Sequence, residues 1–160
     1  MVVKENYLIS TSTMGLKEAL HPEYETIIYD QKGTYYSKKK AVDLLNEACI
    51  LKDGADYSGK VKAIRTVLEY TKKTPLIISL QESIYTFPTK SPDHFDCRWV
   101  FPQHIYKYDD KNGKNRVIFN NGEQFDINCS PYTFRKQWYR SSHCIIYYSK
   151  PSKIQIVVKE

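Results

Sequence analysis

Two asparagine–glycine turns constrain how residues 104–127 can pair. His104–Tyr108 and Arg116–Phe119 flank a connection containing Asn112-Gly113, and Phe119 and Phe125 flank Asn120-Asn121-Gly122. Asn-Gly supplies the positive φ that tight hairpins demand. The segment therefore predicts a three-stranded antiparallel meander. Further strands are expected over residues 6–11, Tyr24–Tyr29, Thr34–Ser37, Leu76–Leu80, Ile84–Phe87, Cys144–Tyr148 and Ile154–Val158. Apolar residues at helical spacing predict a helix from Ala41 to Ile50 (Ala41, Leu44, Leu45, Ala48). A second runs from Tyr57 to Tyr70 with Asp56 as N-cap and Val61, Ile64, Val67 and Leu68 as its inner stripe. Ser130 as cap and Pro131 at the first helical position predict a third, through about Arg140. Pro88 to Pro102 reads as irregular. No repeat, low-complexity stretch or linker divides the chain. The pattern is α+β: one domain over residues 1–160, with an antiparallel meander or sheet and two or three helices.

Charge narrows the partners. The chain has 160 residues, 24 Lys and Arg against 18 Asp and Glu, and a formal charge of +6 with a sequence pI near 9.0. Its distribution matters more than its sum. From Ile127 to Lys159 there are six Lys/Arg and no acid, and Tyr57–Leu68 carries Lys60, Lys62 and Arg65, again with no acid. One-sign stretches of this kind suit an anionic partner, nucleic acid first among them. Fourteen tyrosines against six phenylalanines favour half-buried strands and binding surfaces. Four dispersed cysteines (Cys49, Cys97, Cys129, Cys144), with no signal-peptide stretch and no membrane-spanning run, predict free thiols in a reducing cytoplasm.

Several motifs that suggest catalysis fall short of it. Gly54-Ala-Asp-Tyr-Ser-Gly59-Lys60-Val61 approximates a phosphate-binding P-loop, but Val61 stands where a Mg²⁺-ligating hydroxyl is needed and Asp56 would face the phosphates. A turn leading into a helix explains it better. His94 and Cys97 make half a zinc site, and His143 and Cys144, adjacent on an expected strand, would point apart. No local motif supports a Cys–His nucleophile. Asp109-Asp110 reads as a solvated turn, and Ser37-Lys38-Lys39-Lys40 as a solvated run that could also touch phosphate. Neither an enzyme nor a cofactor or metal is expected.

The segment Tyr132-Thr-Phe134-Arg135-Lys136-Gln-Trp138-Tyr139-Arg140 is more informative. Phe134 and Trp138 share a helix face and are expected in the core, with Tyr139 as a further candidate there, leaving Arg135, Lys136 and Arg140 for phosphates. Together with Lys60, Lys62 and Arg65 these are the candidate DNA-contacting residues, with Arg98 and Arg116 as further candidates.

At these residues the chain resembles the ComK family of competence transcription factors. The shared features are Cys49 followed by Gly54-Ala-Asp-Tyr57-Ser-Gly59-Lys60 (Lys where the family has Arg), and Lys73-Thr-Pro75-Leu-Ile. Ile84-Tyr-Thr-Phe87-Pro88-Thr89 and Cys97-Arg-Trp99-Val100 with His104 follow. Phe119-Asn-Asn121-Gly122 comes next, and last Ser130, Phe134, Gln137, Tyr139 and Arg140 in one frame. Their order and near-equal spacing cover about residues 35–142. The resemblance implies duplex DNA as partner, bound at paired A/T-rich boxes largely through the minor groove. It also implies homo-oligomers, help for RNA polymerase at DNA-uptake and recombination genes, and a cytoplasmic, nucleoid-associated protein. Lys60 and Arg140 carry over as basic positions. Family members often carry an apolar, proline-containing tail recognised by a Clp-protease adaptor, and Tyr147-Tyr-Ser-Lys150-Pro151 departs from it. Two other classes stay open: a single-stranded nucleic-acid or RNA binder using exposed Tyr rings on the meander, and a basic protein-interaction module.

Overall fold

The computed structural model describes residues 1–150. The expected strand at 154–158 lies outside them. Ten strands alternate irregularly with three α-helices among the described residues. They are β1 (Val2–Val3), β2 (Thr13–Glu18), β3 (Thr26–Asp30), β4 (Gly33–Ser37), α1 (Ala41–Asp53), α2 (Tyr57–Leu68), β5 (Leu76–Ser79), β6 (Ile84–Pro88), β7 (Trp99–Val100), β8 (Ile105–Asp109), β9 (Arg116–Phe119), β10 (Gln124–Asp126) and α3 (Pro131–Ser149). Seven strands form one sheet in the order β1-β4-β3-β2-β7-β6-β5, and β10-β9-β8 form the expected meander. Every pair is antiparallel except β1 with β4. The architecture is α+β.

Strand alternation sends side chains to two cores. On one face Leu16, Ile28 and Trp99 meet Leu44, Leu45 and Ala48 of α1 and Val61 of α2. On the other, Met14, Phe87 and Val100 meet Val117, Phe119 and Phe125 of the meander and Phe134 of α3. A third cluster at the β5 edge joins Ile64 of α2, Ile77 and Cys144 of α3. That cluster brings α2 beside α3, and so sets the candidate site.

Four expectations are corrected. The strand expected at 6–11 is not one. Tyr7 and Ile9 are buried, but the strand begins at Thr13. Side chains take the place of the ladder. The Ser10 amide donates to Thr13 Oγ1 at 3.0 Å, and the Tyr7 hydroxyl donates to Asp30 Oδ2 at 2.7 Å. Burial, reinforced by that bond, pushes the Tyr7 phenol far above its ordinary range. Gly15 hid β2 from pattern reading, yet it is required there. A Cβ on it would lie 2.8 Å from the Phe125 ring, too close for any side chain. The stretch 88–102, read as irregular, contributes β7, which lies between β2 and β6. Cys144–Tyr148 is helical, not a strand: its β-branched and aromatic composition is outweighed by the buried series Phe134, Gln137, Ser141 and Cys144, which continues one helix face. Finally, α2 ends at Leu68, with Glu69 in the left-handed region (φ 60°). Val67, placed on the inner stripe, is half exposed at 50%.

His104 ties the meander to the N-terminal segment. Its Nε2–H donates to the Thr11 carbonyl at 2.8 Å, which leaves Nδ1 as acceptor for the Gln31 side-chain amide at 3.3 Å. Burial holds this imidazole below the ordinary histidine range. The unfolded chain therefore takes up the proton first as pH falls. The His104 contribution is complete above about pH 6.5 and is lost progressively below it. Urea midpoints at about pH 7.5 and 5.5, a window above the carboxylates, should show wild type losing stability on acidification. His104→Gln should lose clearly less; an equal response in the two proteins would contradict this.

Candidate nucleic-acid interface

The 19-residue helix α3 starts where sequence chemistry places it. Ser130 Oγ accepts from the Thr133 amide at 3.1 Å and Pro131 occupies the first turn. No Asp or Glu occurs between Pro131 and Ser149. With Phe134, Gln137, Ser141 and Cys144 inward, the i+3/i+4 rule turns Tyr132, Lys136, Tyr139, His143, Ile146 and Tyr147 outward. Tyr139, allowed for in the core, is 70% exposed; Trp138 is partly buried against the meander core.

The segment between α2 and β5 is clamped onto this helix. Buried Gln137 donates through Nε2 to the carbonyls of Lys73 (2.6 Å) and Pro88 (3.1 Å). Arg140 Nη1 donates to the Lys72 carbonyl at 3.3 Å, and its guanidinium lies 4.9 Å from the Tyr70 ring centroid. The Tyr70 hydroxyl is 2.8 Å from His143 Nδ1, and the Tyr139 ring stacks on His143 at 11°. From α2, Arg65 Nε donates to Thr74 Oγ1 at 3.0 Å, and Thr74 Oγ1 donates to the Tyr70 carbonyl at 2.6 Å. Arg65 and Arg140 thus meet the same 70–74 loop, which carries Lys72 and Lys73, with Lys136 one turn before Arg140 on α3 and Lys62 one turn before Arg65 on α2. Glu69 is the carboxylate this loop carries. Among the described residues none of those six cations has an ion-pair partner.

The eight candidates thus divide. Arg65 and Arg140 are brought to one loop, Lys62 and Lys136 lie a turn away along their helices, and none of the four is in an ion pair among the described residues. Lys60 is not free: its Nζ sits 2.5 Å from Asp53 Oδ2 and 3.1 Å from the Ile78 carbonyl, with 14% of the side chain exposed. Arg98 grips Glu18 through Nε and Nη2 (2.6 Å at the shorter) and donates from Nη1 to the Asp126 carbonyl at 2.8 Å. Arg116 holds Asp109 at 3.2 Å and Gln124 Oε1 at 2.6 Å. Removing either partner of such half-buried pairs strands a charge, so these three cations act on the fold. Arg135 pairs with Asp110 at 2.6 Å, but its side chain stays 56% exposed. In the Ser37–Lys40 run, Lys39 pairs with Glu47 at 2.7 Å. Lys72, Lys73, Tyr70 and His143 were missed. The Lys72-Lys73 doublet directly after a basic helix was the available signal.

The motifs set aside above resolve structurally. Gly54 closes α1 in the left-handed conformation, and Asp56 Oδ1 accepts the Gly59 amide at 2.8 Å, occupying an amide a phosphate would need. Burial pushes the thiols of Cys97 and Cys144 up to about 12 and of Cys49 to about 11, which disfavours a thiolate nucleophile at any of them. No three His, Cys, Asp or Glu side chains among the described residues converge as metal ligands do. No helix among them is long and apolar enough to cross a membrane.

Fold and site together define an α+β protein that presents an unneutralised basic and aromatic face along one long helix. Comparison with known proteins gives the family. The chain belongs to the ComK protein family, whose sequence profile matches residues 4–153. It is 23% identical over 140 residues to the "Competence transcription factor" of Bacillus subtilis (strain 168), covering 86% of this chain and 72% of that protein. No solved structure matches. The family extends beyond the residues 35–142 on which the resemblance was read.

Proposed function

We propose that this chain is a competence-type regulator of transcription, a single domain over residues 1–160 that binds duplex DNA and is not an enzyme. The observation that carries this is the acid-free helix α3, whose exposed Lys136 and half-buried Arg140, like Arg65, Lys72 and Lys73, belong to no ion pair among the described residues. Unpaired cations along a rigid element fit a polyanion, whose phosphates they neutralise with release of counterions. They disfavour a second copy on this face, since Lys136 and Arg140 would meet their own like charges. Of the eight sequence candidates, Lys62, Arg65, Lys136 and Arg140 are assigned to phosphate, with Arg135 at the margin.

Family membership and the relative's name support regulation of competence genes, in a cytoplasmic, nucleoid-associated protein. Paired A/T-rich boxes bound through the minor groove, help for RNA polymerase and assembly into oligomers are finer parts of the same proposal. The test compares binding to a duplex with two A/T-rich boxes, a G·C duplex and a single strand. Preference for the A/T-rich duplex, weakened strongly between about 50 and 200 mM salt, is the expected result. Absence of duplex binding overturns the proposal. One observation favours a second reading: Tyr106, Tyr132 and Tyr139 are 73%, 75% and 70% exposed, and such rings can stack unpaired bases. Tighter binding to the single strand would select it.

A further inference from the structure

The loop between α2 and β5 is held in an unfavourable backbone conformation. Four non-glycine residues among those described have positive φ, and two of them, Glu69 (60°) and Lys73 (50°), bracket this loop. The left-handed region is uncommon for residues with a Cβ, and a helix that ends in it usually does so at glycine. Tyr70–Thr74 also has no main-chain hydrogen bond of its own among the described residues. Backbone of this kind persists only where its surroundings over-determine it.

Side chains do so here. The carbonyls of Tyr70, Lys72 and Lys73 accept from Thr74 Oγ1, Arg140 Nη1 and Gln137 Nε2 respectively. Two of the three donors come from α3. Arg140 is half-buried and can also meet a phosphate directly. Gln137 is neutral and 1% exposed, so it is out of reach of any DNA. Its amide is used on both sides. Nε2 spans the Lys73 carbonyl at 2.6 Å and the Pro88 carbonyl at 3.1 Å, and Oε1 lies 3.5 Å from Arg140 Nη1. Pro88 ends β6 and is paired with Trp99 of β7 inside the large sheet. Gln137 therefore ties the left-handed Lys73 to a fixed strand. An ionised carboxylate in its place could donate to neither carbonyl.

Lys72 and Lys73 are the two loop residues whose carbonyls α3 grips. Lys72 is exposed and Lys73 partly buried. Released, the loop would spread both cations over many conformations, and every phosphate contact would be made against the cost of ordering them. Held, the two cations are preorganised.

We propose that Gln137 is a positioning residue for DNA binding: without touching DNA, it holds the 69–74 loop so that Lys72 and Lys73 are preorganised for phosphate beside Arg140. This rests on the duplex-binding reading above and deepens it. The test is a double-mutant cycle on the full chain, with Gln137→Met on one side and Lys72→Gln/Lys73→Gln on the other. Methionine keeps the reach of glutamine and removes its donors. Affinity for one A/T-rich duplex is measured across salt, well below the melting temperature of each variant. Gln137→Met removes no charge, yet it should weaken binding about tenfold near 0.1 M salt and make the slope of log K against log salt shallower by about 1–2. In the Lys72→Gln/Lys73→Gln background the same change should move affinity by less than about twofold. A glutamine that served the fold alone would lower the melting temperature and leave the slope as it is. An unchanged slope, or an equal loss of affinity in both backgrounds, overturns this inference alone. Where Gln137→Met does not melt cooperatively, Thr74→Val cuts the loop's tie at the Tyr70 carbonyl and is read through the same cycle, with the same outcomes deciding. Wild type that binds no duplex overturns the duplex reading, and this inference with it.

Discussion

Phe134→Ala should cost about 3–5 kcal/mol of folding stability, the usual toll for emptying a buried aromatic site. The ring is fully buried and joins three elements. It meets Phe87 of β6 edge-on at 5.4 Å, stacks on Tyr108 of β8 at 4.1 Å and touches Trp138 one turn along α3 at 5.8 Å. Collapse cannot fill the space, because the large sheet, the meander and the helix each hold one wall. Against a total stability of about 5–15 kcal/mol, the variant should retain little margin, and α3 should loosen from the sheet. Urea unfolding provides the measurement, with Tyr132→Ala as control. Tyr132 is on the same helix but 75% exposed, and its loss should stay within about 0.5 kcal/mol. Equal midpoints for the two variants would show that Phe134 does not join the layers.

The second large effect is expected on binding. Reversing charge in Lys136→Glu with Arg140→Glu sets two carboxylates against phosphates, a clash of several kcal/mol, so affinity for duplex DNA should fall about 100-fold or more. The loss should be similar for every sequence, because phosphate contacts hold register without reading bases. The fold should survive. Lys136 is exposed, and the Lys72 carbonyl that Arg140 serves belongs to an exposed residue. Lys60→Gln gives the opposite pattern. It leaves Asp53 without its partner and removes the bond to the Ile78 carbonyl, so it should lower stability while leaving DNA affinity within about twofold, since it removes no phosphate contact. Fluorescence anisotropy with a labelled duplex, beside thermal melts, separates the two.

What could be read from the sequence was local. The Asn-Gly turns, the Asp56 and Ser130 caps and the stripe of α1 each depend on residues a few positions apart, and the structure has all of them. What escaped depends on distant residues. β7 is two residues long, and only pairing with β2 and β6 makes it a strand. Residues 144–148 look β-like by composition and are helical because Cys144 packs with Ile64 and Ile77. Gly15 is explained by Phe125, more than a hundred positions later. The site divides in the same way. The basic, acid-free character of α3 is visible in one line of sequence. That Arg98 is neutralised by Glu18, eighty residues earlier, is not. Nor is the apposition of the Lys72-Lys73 loop to Arg140, which needs Gln137 to bridge two separate carbonyls. Charge counting cannot distinguish a cation spent on the fold from one left for a partner.

The slope of binding affinity against salt tests the central claim most directly. It should be measured on one A/T-rich duplex for wild type and for Arg65→Gln/Lys136→Gln/Arg140→Gln. Each phosphate contact contributes about 0.9 to the slope of log K against log salt. If this face lies on the DNA backbone, the triple variant should bind more weakly at low salt with a slope shallower by about 2–3. Firm binding by both proteins with the same slope would contradict the account and place the DNA elsewhere on the molecule.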